Sequence, residues 1–145
     1  MYYLPIAKEL KEALCLNHDI TNKLITLASE ANNISALWLY GSRAKGNHRP
    51  DSDYDLAVLF NDWVKDPLDR RLRPELLAMD WAKALGREEE ILSIVDIQNA
   101  PIPLAMNIIS GKSLYCDNEG ERLNVEGIIM SKAELDYLYH LKHFG

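Results

Sequence analysis

The chain has 145 residues, 48% of them apolar and 26% charged, which predicts one folded domain over 1–145 and excludes a multidomain machine, a collagen-like repeat or wholesale disorder. Acidic residues outnumber basic ones 22 to 16, and a net charge of −6 predicts no direct nucleic-acid binding and no general attraction to anionic membranes. The segment Met1–Cys15 interleaves Lys8, Glu9, Lys11 and Glu12 with its apolar residues, unlike an export signal, and apolar runs such as Ala36–Tyr40 are far shorter than the roughly 18 residues that cross a bilayer. Cys15 and Cys116 stand far apart in no metal-binding spacing, which fits reduced thiols, and a cytoplasmic location is the expectation.

Leu4, Ala7, Leu10, Ala13 and Leu14 recur at spacings of three and four, predicting a first helix over residues 4–16. Asp19 is the expected N-cap of a second helix, with Ile20, Leu24, Leu27, Ala28 and Ala31 as its stripe and Asn32-Asn33 as its stop. Ile34–Tyr40 is apolar and aromatic and runs straight into Gly41-Ser42, the pattern of a buried strand ending in a tight turn. Arg43–Ser52 is a polar connection with room for one helical turn, and Tyr54–Phe60 resumes as a strand. Pro74 is placed as the first residue of a helix that Gly86 closes, with Leu76, Leu77, Trp81, Ala84 and Leu85 buried. Ile91–Ile97 is the expected third strand, Pro101 or Pro103 opens a short helix stopped by Gly111, and Ser113–Cys116 is an edge strand. After a turn-like Asp117–Gly120, Ser131 with Glu134 makes a capping box for a last helix through about His143. Trp38, Trp63 and Trp81 are read as packing residues. The alternation predicts an α/β (α+β) arrangement, helices covering a small sheet, without repeats or linkers.

The informative stretch is Gly41-Ser42 followed, after ten residues, by Asp53-Tyr54-Asp55. In extended backbone, side chains two apart face the same way, so Asp53 and Asp55 project together. Two carboxylates that close repel by about 1 kcal/mol at ~4 Å in water and by more in a drier cleft, and a hard divalent cation such as Mg2+, shared with substrate phosphates, resolves the repulsion. The glycine admits close approach of an anion, the serine can donate to phosphate oxygens, and Arg43 and Lys45 reverse the local charge of an acidic protein. Asp96, set in the apolar run Ile91–Ile97, is the candidate third carboxylate, placed to bridge a metal and take the proton of an attacking hydroxyl. Three carboxylates and a triphosphate total about −7, a charge that two Mg2+ ions and one or two basic side chains largely offset. His18, His48, His140 and His143 have no metal-ligand spacing. Tyr137, Tyr139 and Phe144 with Leu138 and Leu141 exceed one helical stripe, leaving open whether they pack on the sheet or meet a partner.

Gly41-Ser42, ten residues, Asp53-Tyr54-Asp55 and a distal Asp96 resemble the signature of the DNA polymerase β-like nucleotidyltransferase superfamily. More narrowly, the length and the stretches SDYDLAVLF, LLAMDWAKALGR and GKSLYCDNEGERL resemble the minimal nucleotidyltransferase (MNT) antitoxins, partners of HEPN ribonuclease toxins. The resemblance implies a mixed sheet flanked by helices. It implies Asp53 and Asp55 as ligands to two Mg2+ ions, Asp96 as third ligand and base, and Gly41 and Ser42 cradling the phosphates of ATP with Arg43 and Lys45 assisting. The implied reaction moves AMP from ATP to a tyrosine hydroxyl of the toxin, with release of pyrophosphate. Asp51 lies outside the motif. Two other readings stay open: nucleotide transfer to a small hydroxylated molecule such as an aminoglycoside, for which the chain leaves little room for an added substrate domain, and a catalytically idle antitoxin acting by occlusion.

Overall fold

The computed structural model describes residues 19–88 and 91–144, so the helix expected over 4–16, Cys15 and His18 lie outside the described range. At its centre is β1 (Ile34–Tyr40), whose seven residues are all buried. A strand reads as an unbroken apolar run when both of its faces are covered, and β1 has a strand on each side as well. It pairs antiparallel with β2 (Tyr54–Phe60) and with β4 (Lys112–Cys116), while β2 pairs in parallel with β3 (Leu92–Asp96), giving the order β3-β2-β1-β4. The sheet is therefore mixed, and β4 is an edge strand as expected.

Alternation along the strands separates two cores. One face carries Leu37, Leu39, Tyr54, Leu56, Val58 and Ile94 and is covered by α1 (residues 19–30) and α3 (Pro67–Ala84). The other carries Ala36, Trp38, Tyr40, Ala57 and Leu59 and is covered by α4 (Ile102–Ile109) and α5 (Glu119–Phe144). Each fully buried apolar side chain in these layers stabilises the fold by about 1.5–3 kcal/mol. Two polar ties fix α5 on its face: Ser35 Oγ donates to Glu121 Oε2 at 3.0 Å, and Trp38 Nε1 donates to Glu126 Oε1 at 3.2 Å.

Several boundaries differ from the sequence expectation. Asp19 already lies inside α1, paired with Lys23 one turn on. Helix α3 begins at Pro67, not Pro74, because Asp66 caps it by accepting from the Leu68 N–H at 3.0 Å and Pro67 occupies the first turn. Pro74 sits inside the helix on the buried face with Ala78, Trp81 and Ala82, whereas Leu76 and Ala84 are exposed. Ile91 and Ile97 fall outside β3, Ile97 opening a 3-10 turn (Ile97–Asn99). The last helix starts at Glu119, capped by Asn118, whose Oδ1 accepts from the Glu121 N–H at 3.0 Å, so Ser131 and Glu134 are mid-helix. Trp63 is 75% exposed, with the Arg70 guanidinium over its ring, while Trp38 and Trp81 are buried as expected. Along α5 the buried residues are Val125 and Ile129; Leu123, Met130, Tyr137, Leu141 and Phe144 are exposed.

Candidate active site

The end of β1 and the start of β2 lie side by side, Tyr40 opposite Asp55. The chain leaves β1 through Gly41 at φ 74, ψ −153, a conformation essentially confined to glycine, before the helical turn α2 (Ser42–Lys45). A Cβ at Gly41 would lie 2.5 Å from Asp55 Oδ2. The missing side chain is what lets that carboxylate approach the turn, so Gly41, Ser42 and Asp55 form one small surface.

Asp53 precedes β2 and is exposed, and Asp55 is the partly buried residue of an otherwise buried strand. Burial, and then the charge of Asp53, push the Asp55 carboxyl above its ordinary range; burial and then Asp55 do the same to the Tyr40 phenol. The repulsion that the Asp53 charge exerts on the Asp55 carboxylate is what a divalent cation between the two would relieve, and the two carboxylates suit one such ion.

Arg43 braces its own connection. Its side chain is buried, donating from Nε to the Ser52 carbonyl at 2.9 Å and from Nη2 to the Pro50 carbonyl at 3.2 Å, with the guanidinium 3.9 Å from the centre of the Tyr54 ring. Arg43 thus ties α2 to the connection that delivers Asp53. Lys45 is exposed and lines a cavity of about 250 Å3 with Gly41, Ala44, Asn107, Ser110, Gly111 and Lys112. Sequence reasoning missed Lys112, which stands far away in the chain and is brought there because Gly111 presses against β1: a Cβ at Gly111 would collide with the Leu39 carbonyl oxygen.

Asp96 is not brought to the pair. The β2–β3 register sets Asp55 opposite Ser93 and Val58 opposite Asp96. Three residues of strand are about 10 Å, and an odd offset reverses the face. Asp96 accordingly lies on the α3 side, where its Oδ1 accepts from the Gln98 N–H at 2.9 Å and Arg73 of α3 acts on its charge. Burial still pushes its carboxyl up, against both of those favourable contacts. It lines a separate cleft of about 460 Å3 with Arg70, Arg71 and Glu75. The β3 residue that shares the face of Asp55 is Ser93, exposed between buried Leu92 and Ile94. Among the described residues, no three His, Cys, Asp or Glu side chains gather as a metal site, so the three-carboxylate set does not form. The signal for this lay in the alternation of LSIVD, in which Ser93 and Asp96 have opposite parity.

No curated protein matches the chain. Among solved structures, similarity extends to a toxin-antitoxin crystallised with AMP-PNP (24% identity, TM-score 0.64, 84% of this chain and 93% of that one). It extends also to the toxin-antitoxin MntA-HepT (21%, 0.60, 86% and 93%) and to a tri-AMPylated Shewanella oneidensis HEPN toxin in complex with MNT antitoxin (21%, 0.61, 86% and 92%). The fold is thus that of the MNT structures. The family model of polymerase beta nucleotidyltransferases matches residues 22–120, a span running from α1 to the start of α5 and holding Gly41, Ser42, Asp53 and Asp55; the chain belongs to that family.

Proposed function

We propose that this chain is an antitoxin that transfers AMP from ATP to a tyrosine hydroxyl of a cognate HEPN ribonuclease toxin, its partner in a hetero-oligomer, and silences it. The observation that carries the reading is the Asp53–Asp55 pair set against the glycine turn, within a nucleotidyltransferase domain. The shared fold with an antitoxin in complex with a tri-AMPylated HEPN toxin supports the acceptor class, and the relative crystallised with AMP-PNP supports ATP.

Asp53 and Asp55 would hold Mg2+, which when bound offsets phosphate charge and makes the α-phosphorus more electrophilic. Gly41 and Ser42 would receive the β- and γ-phosphates, and Lys45 and Lys112 give the cavity beside Gly41 two positive charges for the same polyphosphate. Arg43 positions Asp53 through the Pro50 and Ser52 carbonyls. The tyrosine oxygen bonds to the α-phosphorus as the bond from that phosphorus to the bridging oxygen breaks. Pyrophosphate leaves, and the hydroxyl proton passes to solvent.

The test is incubation of the chain with α-labelled ATP, Mg2+ and the HEPN protein encoded beside it. Label should appear on the toxin and fall by at least about 100-fold with Asp53→Asn or Asp55→Asn. Label on aminoglycosides but not on the neighbouring protein would replace the protein acceptor with a small molecule. A second reading, neutralisation by occlusion, is favoured by the lack, among the described residues, of a third carboxylate beside the pair; full neutralisation by both aspartate variants would establish it.

A further inference from the structure

Resting on that reading, we infer that the site is built for one divalent cation rather than two, with Ser93 standing where a third carboxylate would have to be to bind a second. Ser93 is the cross-strand partner of Asp55, and β3 presents it, exposed, on the same face of the sheet. Neighbouring strands lie about 4.8 Å apart, so a side chain at position 93 reaches the same space as the Asp55 carboxylate. A serine there offers a neutral oxygen, which binds a hard cation far more weakly than a carboxylate does.

Among the described residues, no other acid replaces it. Asp96 lies three residues further along β3 on the opposite face, its carboxylate engaged with the Gln98 N–H. Reaching the pair would require a three-residue shift of β3, and because that number is odd it would also expel Leu92 and Ile94 from the core they share with Leu56 and Val58. The first ion has two carboxylates and the nucleotide's phosphates. A second would have phosphate and water alone, with Lys45 and Lys112 already bringing positive charge to the nearby cavity. A consequence for the chemistry is that no carboxylate of the described residues other than the cation's own two ligands stands beside the attacking hydroxyl. The proton it loses goes to water, and transfer is slow compared with what a third acid would permit.

The experiment counts protein-bound Mn2+ by electron paramagnetic resonance at saturating non-hydrolysable ATP analogue, free metal–nucleotide complex being subtracted. The expected stoichiometry is one ion per chain for the native protein, for Asp96→Asn and for Ser93→Asn, which matches an aspartate in size without its charge. Ser93→Asp should take up a second ion and raise the rate of AMP transfer by about 10-fold or more, with folding checked by circular dichroism. Two ions in the native protein, the second lost in Asp96→Asn, would overturn the inference, as would failure of a correctly folded Ser93→Asp to bind the second. One ion without AMP transfer to the partner supports this inference and removes the acceptor proposed above. No nucleotide-dependent ion at all overturns both.

Discussion

At Gly41, a missing side chain makes the site possible. The positive φ and the approach of Asp55 both exclude a Cβ, and they do so independently. Gly41→Ala should therefore lower stability by about 1–3 kcal/mol, measured by urea unfolding, and nucleotide-dependent Mn2+ binding should fall with it as the Asp55 carboxylate is driven aside. The residues around this position show what the sequence made legible. Gly41, Ser42, Asp53 and Asp55 stand out in the sequence because the motif is local; strand alternation fixes the face of Asp55, the second residue of β2, whereas Asp53 lies just before the strand. An arginine beside a phosphate motif invites a ligand role; that the Arg43 guanidinium also closes its own connection depends on the path of residues 46–52, which no periodicity encodes. Asp96 was misassigned because a charge inside an apolar run attracts notice while a serine does not, yet parity and register, not polarity, decide which of them faces Asp55.

Among the elements, the strands were the most legible and the helix starts the least. β1 and β2 announce themselves as apolar runs bounded by turn residues, and their observed limits equal those expected. Helix starts depend on capping, for which several residue types compete. Asn118 followed by Glu121 offers the same chemistry as Ser131 followed by Glu134, and the hydrogen bond to the Glu121 N–H identifies the first as the true start. Asn118→Ala should cost about 1 kcal/mol of stability in urea denaturation, while Ser131→Ala, exposed in mid-helix, should be neutral or slightly stabilising because alanine is the better helix former. Pro74 misled for the opposite reason. Proline is so often a first-turn residue that its burial on the sheet side of an 18-residue helix is the less expected outcome, and the Asp66-Pro67 pair upstream carried the real signal.

Over the whole molecule, the two-layer cover of a mixed sheet follows from strands that are apolar on both faces, and among the described residues the order of α1, α3, α4 and α5 relative to the strands was expected from the turn residues between them. How far the layers reach was not legible. The buried residues of α5, and its ties to Ser35 and Trp38, all fall within Glu119–Ile129, and from Met130 to Phe144 no residue is buried among the described ones. No described helix is long and apolar enough to cross a membrane, so the exposed apolar residues on this half are not a bilayer span. Ending the chain after Lys132 should leave the thermal midpoint within about 2 °C, since surface groups away from caps and cores contribute little. A loss of more than about 8 °C would mean that the distal turns pack on the body.

The overhang also governs how this helix behaves in time. Isolated segments of fewer than about 12–15 residues are marginal helices in water, so the distal turns keep their shape only by propagation from the anchored first half. Their backbone amides should exchange with deuterium in seconds while those around Val125 and Ile129 persist with the sheet. A docked macromolecule would lengthen the protected stretch toward Phe144, residue by residue, giving a mass-spectrometric record of where it sits.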